Sequence, residues 1–136
     1  IDGFVNSSKI KKITSLNLSE KGVNDLTGIE DFLSLKVLIA NDNLISKIDL
    51  SLNTELEILY LDNNSIKNLD LSTNTKLQKI SLNDNSIQNL DLSLITNLVD
   101  FSSINNEMLC IKISTSQIIS SKNWFKDAAV IFDTIC

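Results

Sequence analysis

The apolar positions of this chain recur every 21 residues, and this spacing dominates the sequence. Self-similarity at a fixed period of 20 to 29 residues is the signature of a solenoid whose units stack on one another. We therefore expect one coil of chain per unit. The columns of matching positions are Leu35, Leu56, Leu77 and Leu98; Leu38, Leu59, Ile80 and Phe101; Ile45, Ile66, Ile87 and Met108; and Leu50, Leu71, Leu92 and Ile113.

Within each unit the apolar positions also alternate over short distances. In residues 56–76, the run Leu59-Tyr60-Leu61 reads in, out, in, and Leu69-Asp70-Leu71 repeats the alternation. Alternation with a period of two is typical of strands buried on one face. Each coil is predicted to carry two short extended segments on opposite walls, with little helix.

The predicted architecture is a right-handed solenoid, mainly β, of about five repeats between terminal caps. The repeats span 13–34, 35–55, 56–76, 77–97 and a degenerate fifth that starts at 98–108; residues 1–12 form a short N-terminal cap and 109–136 a C-terminal cap. In the C-terminal cap we predict a short helix within 118–130, a last strand over 130–132, and packing of Trp124 against the last coil.

A column of asparagines follows the first extended segment, at Asn43, Asn64, Asn85 and Asn106. An amide turned inward at a bend can donate to and accept from backbone groups of its own and neighbouring coils. We interpret this column as structural.

Composition narrows the class of protein. With 136 residues and 43% hydrophobic content, the chain can bury one continuous core. The net charge is −5 and all 12 basic residues are lysines, which argues against a nucleic-acid partner. No apolar run is long enough for membrane insertion. The start at Ile1 has no initiator Met and no signal-peptide pattern, which suggests a chain cut from something longer. We expect a monomer without cofactors.

The two cysteines, Cys110 and Cys136, lie outside the regular repeat, and the sequence has no histidine. Two thiols without histidine do not complete a four-ligand zinc site. We predict that they form a disulfide, which indicates an oxidising, extracytoplasmic compartment.

The 21-residue repeat resembles the leucine-rich-repeat superfamily, specifically the nested 21-residue class found in secreted proteins of Bacteroidetes. The segment Leu26-Thr27-Gly28-Ile29-Glu30-Asp31-Phe32 is similar to the first repeat of those proteins and, more distantly, to internalin repeats. The tail from Leu109-Cys110-Ile111 to Cys136 is similar to their C-terminal cap. The resemblance implies secretion or surface display and leaves the ligand open.

Catalytic residues are not evident. Without histidine there is no imidazole base, and Gly3, Gly22 and Gly28 make no phosphate-binding loop. Neighbouring carboxylates are expected from the repeat alone. We predict that the chain is not an enzyme.

A ligand site is predicted on the wall formed by the first extended segments. Stacked coils present columns of outward side chains about 4.8 Å apart. An apolar cluster with the only tyrosine adjoins a strip of amides and carboxylates. The alternative explanations are strand propensity for the apolar residues and a solvated turn for the polar ones. Asp42, Asp62 and Asp84 of this strip are also an alternative calcium site. The candidate ligand-binding residues are Val37, Ile39, Asn41, Ile58, Tyr60, Asp62 and Asn83.

A second acidic column, Asp49, Asp70 and Asp91, lies on the opposite wall and is followed one coil later by Lys112. Each Asp precedes a serine by two residues, so we interpret the column as turn-stabilising, with calcium bridging as the alternative. Lys47 and Lys67 are expected to lie close enough to balance the charge.

Three functions fit these patterns. The first is a secreted or surface-exposed module that recognises a protein or glycan through the strand wall. The second is a passive spacer within a larger surface protein, and the third is a cytosolic regulator, which requires reduced cysteines.

Overall fold

The computed structural model describes residues 7–120 and 124–136, which form a solenoid of parallel strands as predicted. A single helical turn, α1 (Ser7–Ile10), leads into the first coil. Residues 1–6 of the predicted N-terminal cap lie outside the described residues. The boundaries of repeats and caps stay predictions.

One side of the solenoid is a six-stranded parallel sheet, hereafter the first wall. Each coil adds one strand to this sheet and the C-terminal cap adds the last, so the strands lie side by side in chain order. The register pairs Leu38 with Leu59 and Ile80 with Phe101, as the 21-residue ladder requires. The strands are β1 (Ser15–Asn17), β2 (Val37–Ile39), β3 (Ile58–Tyr60), β4 (Lys79–Ser81), β6 (Asp100–Ser103) and β8 (Trp124–Lys126).

The opposite side, the second wall, is a shorter parallel sheet of β5 (Leu90–Asp91), β7 (Cys110–Lys112) and β9 (Ile131–Asp133). A single bridge, Asn68 to Asn89, extends it toward the third coil. The first coil turns here through a 3-10 helix, Ile29–Asp31, and offers no extended partner. The expectation of two strands in every coil is therefore met only in the C-terminal half.

The core is the stack of ladder side chains between the two walls. Leu38 and Leu59 are fully buried, and Phe101 continues the same column in the fifth coil. In the first coil, Ile13, Leu16 and Leu18 are only partly buried against this core. A continuous column of leucine and isoleucine thus holds each coil on its neighbours.

The asparagine column is structural, as predicted. Asn64 Nδ2 donates to the carbonyls of Ala40, Leu61 and Asp62, at 3.0 to 3.2 Å. Its Oδ1 accepts the backbone N–H of Ile45 at 3.0 Å. Asn85 repeats the arrangement one coil later. Each amide therefore satisfies buried backbone groups of two adjacent coils.

A second amide column, on the other side of the coil, consists of Asn53, Asn74 and Gln117. Asn74 Nδ2 donates to the carbonyls of Leu50 and Asn53 at 3.0 Å. Gln117 Nε2 makes the equivalent bonds for the fifth coil, to the carbonyls of Leu92 and Ile95 at 2.9 Å. Gln117 lies one residue beyond the position that the 21-residue register gives, and its longer side chain compensates for this shift.

The bends after the first five strands of the first wall each contain a residue with positive φ, between 54° and 58°. Such left-handed conformations strain most side chains but are tolerated by Asn and Asp. Four of the five positions are Asp or Asn; the first is glutamate. The residues are Glu20, Asp42, Asn63, Asp84 and Asn105.

The C-terminal cap is closed by the Cys110–Cys136 disulfide, with the two Cα atoms 6.0 Å apart. Trp124 is buried as predicted, edge-on to Phe101 at 5.6 Å and to Phe132 at 5.5 Å between ring centroids. The predicted cap helix was placed too late in the chain. Helix α2 spans Thr115–Ser120, and Trp124 instead begins β8, because it continues the first-wall register from Phe101.

Candidate functional site

The apolar part of the predicted site lies together on the first wall. Val37 faces Ile58, and Ile39 faces Tyr60, in adjacent parallel strands. All four side chains are half-buried. They form a continuous patch across the second and third coils, with the tyrosine toward the C-terminal side.

The polar part, Asn41, Asp62 and Asn83, forms a ladder that supports the backbone. Asn41 Oδ1 accepts the N–H of Asp62 at 2.9 Å, and Asp62 Oδ1 accepts the N–H of Asn83 at 2.7 Å. Asn83 Oδ1 in turn accepts the N–H of Ile104 at 2.8 Å. These residues hold successive bends in place, so any ligand meets only their remaining polar atoms.

A shallow cavity of about 630 Å³, hereafter the trough, opens on the first wall next to the apolar patch. Its floor is Ser81 and Ser102, and Tyr60 and Phe125 stand at its two ends. The strand register places these four residues in one column, from the third coil to the cap. The rim includes Asn41, Asp62 and Asp100.

Four residues of the trough are not among the predicted site residues: Ser81, Asp100, Ser102 and Phe125. Ser81, Ser102 and Asp100 lie in the outward columns that the repeat defines, but small or charged side chains carry no apolar signal. Phe125 follows Ser102 in register by 23 residues instead of 21, so the repeat does not place it. Its side chain is 61% exposed, which marks it as unusual for a large aromatic residue.

Ion pairs between adjacent coils run along the surface. Lys79 Nζ lies 3.3 Å from Asp100 Oδ2 at the rim of the trough, and Lys36 Nζ lies 2.8 Å from Glu57 Oε1. Each partner is about half exposed. Exposed pairs of this kind contribute little to stability.

The acidic column of the second wall stabilises turns, as predicted. Asp49 Oδ1 and Asp70 Oδ1 each accept the backbone N–H two residues on, from Ser51 and Ser72, at 2.9 Å. The Ser51 hydroxyl and backbone N–H lower the pKa of Asp49, and the Ser72 backbone N–H and hydroxyl lower the pKa of Asp70.

Asp91 combines a turn with an ion pair. Burial raises its pKa, but hydrogen bonds from Lys112 and Ser93 lower it by more, so the net pKa is below its ordinary value. Lys112 Nζ lies 2.8 Å from Asp91 Oδ2. Lys47 and Lys67 enter none of the ion pairs found between described residues, so the expected balance by these two lysines is not seen.

Neither acidic column forms a metal cluster. Among the described residues, no group of three or more Asp, Glu, Cys or His side chains is arranged to hold a metal ion. Asp42 and Asp84 instead each accept a hydrogen bond, at 2.8 Å, from the asparagine one coil on, Asn63 and Asn105. Within residues 7–120 and 124–136, no helix is long and apolar enough to cross a membrane.

Comparison with known proteins yields relatives by structure. No protein-family model and no curated protein matches the sequence. The fold is similar to the functional domain of InlJ from Listeria monocytogenes, which includes a cysteine ladder, with a TM-score of 0.64 and 21% identity over 92% of this chain and 32% of that one. It is also similar to an internalin, InlF, of L. monocytogenes, with a TM-score of 0.67 and 20% identity over 93% of this chain and 51% of that one.

These likenesses establish the fold. The chain spans about a third and about half of the length of these two proteins. The narrower assignment to the Bacteroidetes class stays a prediction. The protein is thus a leucine-rich-repeat solenoid with parallel strands and little helix, and it shares this fold with the internalins of Listeria.

Proposed function

We propose that this chain is a non-enzymatic recognition module, outside the cell or on its surface, that binds a protein partner through the first wall. The observation that carries the proposal is the continuity of the patch Val37, Ile39, Ile58 and Tyr60 with the trough. A flat apolar area with an aromatic anchor and a polar rim is typical of protein-binding surfaces. The side chains of Asn41, Asp62 and Asn83 form that rim.

The disulfide supports the proposed location. Disulfides persist in oxidising compartments and are rare in the cytosol. Cys110 and Cys136 are joined across the cap, whereas the cytosolic alternative requires both as thiols. Thiol titration of the denatured, unreduced protein tests this step: two reactive thiols would contradict the extracytoplasmic proposal.

Binding is tested by screening the chain against arrays of purified surface-protein ectodomains and of glycans. The double variant Ile39→Asp/Tyr60→Ala removes the apolar anchor and places a charge in its centre. We expect it to lose at least tenfold in affinity for the captured ectodomain, because hot-spot aromatics carry most of the binding free energy. The variant should keep the wild-type circular dichroism spectrum.

The matched control is Leu94→Asp, since Leu94 is exposed and lies outside the first wall. It should bind as wild type does. Unchanged capture by the double variant would disprove the site. Capture of glycans alone would change the ligand class, and no capture of either would favour the alternative, a passive spacer within a larger surface protein.

A further inference from the structure

The floor of the trough is rich in hydrogen-bond acceptors. Ser81 Oγ donates to Asp62 Oδ1 at 2.7 Å, and Ser102 Oγ donates to Asn83 Oδ1 at 2.6 Å. A serine hydroxyl has a single proton. Both floor hydroxyls have therefore spent their proton within the protein. Ser81 Oγ also accepts a hydrogen bond from Asn83 Nδ2 at 3.0 Å, so the floor hydroxyls offer a ligand only their remaining lone pairs.

The fixed charges that line the trough are negative. Asp62 and Asp100 are lining residues, and the lining drawn from the described chain includes no lysine. Lys79 reaches Asp100 from outside, at 3.3 Å, with 45% of its side chain exposed. A solvated pair of this kind is weak, so a bound cation can share the Asp100 carboxylate. The net charge of −5 attracts cations over longer distances.

The two ends of the trough are aromatic. Tyr60 and Phe125 lie three strands apart in one column, which corresponds to roughly 14 Å between their backbones at normal strand spacing. Cations bind favourably over aromatic faces within about 6 Å of the ring centroid. A planar guanidinium both stacks on a ring and forms paired hydrogen bonds with a carboxylate.

We propose that the trough binds an arginine side chain of the protein partner, with the guanidinium paired with the carboxylates of Asp62 and Asp100 and stacked on one of the two aromatic ends. This inference rests on the proposed function and specifies its partner chemistry. An anionic ligand would meet lone pairs and carboxylates of like charge. A neutral sugar can also donate to these oxygens but lacks the charge that matches the carboxylates of Asp62 and Asp100.

The probe is the peptide N-acetyl-Gly-Arg-Gly-amide, titrated into the ¹⁵N-labelled protein at constant ionic strength. Its neutral isostere, with citrulline in place of arginine, is the matched ligand control. We expect saturable shifts at Ser81, Ser102 and Phe125, with affinity in the range of about 1–10 mM. The citrulline peptide should bind at least tenfold more weakly, because it keeps the shape and loses the charge.

Two variants test the carboxylates. Asp100→Asn removes a rim charge, and Asp62→Asn removes the other while keeping an oxygen that can accept the N–H of Asn83. Each should weaken the arginine peptide at least threefold. Asp70→Asn makes the same change of charge on the second wall and should leave the affinity unchanged. Phe125→Ala should weaken binding without altering the fold, since its side chain is largely exposed.

Equal binding of the arginine and citrulline peptides would overturn the inference. So would shifts spread over both walls, which would indicate unspecific attraction to an acidic surface, or trough shifts caused by methyl α-mannoside and not by arginine. Failure of the peptide, with partner capture still lost in Ile39→Asp/Tyr60→Ala, would reject only the arginine site. Peptide binding without capture of any ectodomain would reject the proposed function and leave the chemistry of the trough intact.

Discussion

At the scale of single residues, the bends after the first-wall strands require a left-handed backbone conformation, and the residues there are not equally suited to it. Five equivalent positions have positive φ, and four of them are Asp or Asn. These residues enter the left-handed region at low cost because their short polar side chains bond locally. Glu20 holds the same position in the first coil with φ of 58°, a conformation to which its longer side chain is less suited.

Glu20→Asn should therefore stabilise the protein, by about 1 kcal/mol, because asparagine relieves part of the left-handed strain. The measurement is the free energy of unfolding from urea titration at neutral pH. Glu20→Gln is the matched control, since it removes the same charge and keeps the strained backbone. Equal effects of the two substitutions would show that charge, and not conformation, determines the change.

At the same scale, the predicted polar binding residues also have a structural role. Asn41, Asp62 and Asn83 point along the axis of the solenoid and bond the backbone of the next coil. A repeat places similar polar side chains at intervals of one coil, which is the distance at which such bonds form. Recognition then depends more on residues whose type varies from coil to coil, such as Tyr60 and Phe125.

At the scale of elements, the C-terminal cap depends on the pairing of β7 with β9. Ile131 N–H donates to the carbonyl of Leu109 at 3.1 Å, and Ile113 N–H to that of Asp133 at 2.8 Å. The Cys110–Cys136 disulfide joins the start of β7 to the last residue of the chain, 26 residues on. It thus restrains the strand that closes the second wall.

Replacing both cysteines by serine should destabilise the protein by about 3 kcal/mol in the chain-entropy model. The loss should be local, since solenoid coils contact only their neighbours. Hydrogen exchange should accelerate at Ile113 and Ile131 and stay unchanged at Leu38 and Leu59. Wild type treated with dithiothreitol should behave like the double variant. Uniform acceleration along the chain would contradict a local role.

The elements also show how much of the fold can be predicted from the sequence. The 21-residue ladder predicted the first wall, its register and the asparagine column, because each depends on spacing within a coil. It did not predict that the second wall has no strand in the first two coils, of which the first turns there through the 3-10 helix Ile29–Asp31. Nor did it place Phe125, since the coil before it has 23 residues in register.

The candidate site was predictable to the same extent. The neighbours Ile39 and Tyr60 follow from the repeat and were predicted together. The trough depends on how the cap docks, and therefore on a contact between elements that periodicity does not encode. Its acceptor character depends on which way Ser81 and Ser102 donate, a choice made by the tertiary arrangement of Asp62 and Asn83.

At the scale of the whole molecule, stability depends on carboxylates repeated from coil to coil. Asp49 and Asp70 lie on the second wall in adjacent coils, and hydrogen bonds from Ser51 and Ser72 lower the pKa of each below the ordinary 3.8. A carboxyl whose pKa is lower in the folded state stabilises the fold above its unfolded pKa. That contribution is lost as pH falls through the folded pKa.

Acid should therefore destabilise the wild type more than the double variant Asp49→Asn/Asp70→Asn. Asparagine keeps an oxygen that can accept the N–H of Ser51 and Ser72 but does not titrate. The difference in free energy of unfolding between the two proteins should be constant above about pH 5 and should shift in favour of the variant as pH falls below about 4. Urea unfolding from pH 2 to pH 7 measures this difference. Parallel curves over that whole range would show that these turns do not couple folding to protonation, and that the acidic column contributes to acid sensitivity only through its overall charge.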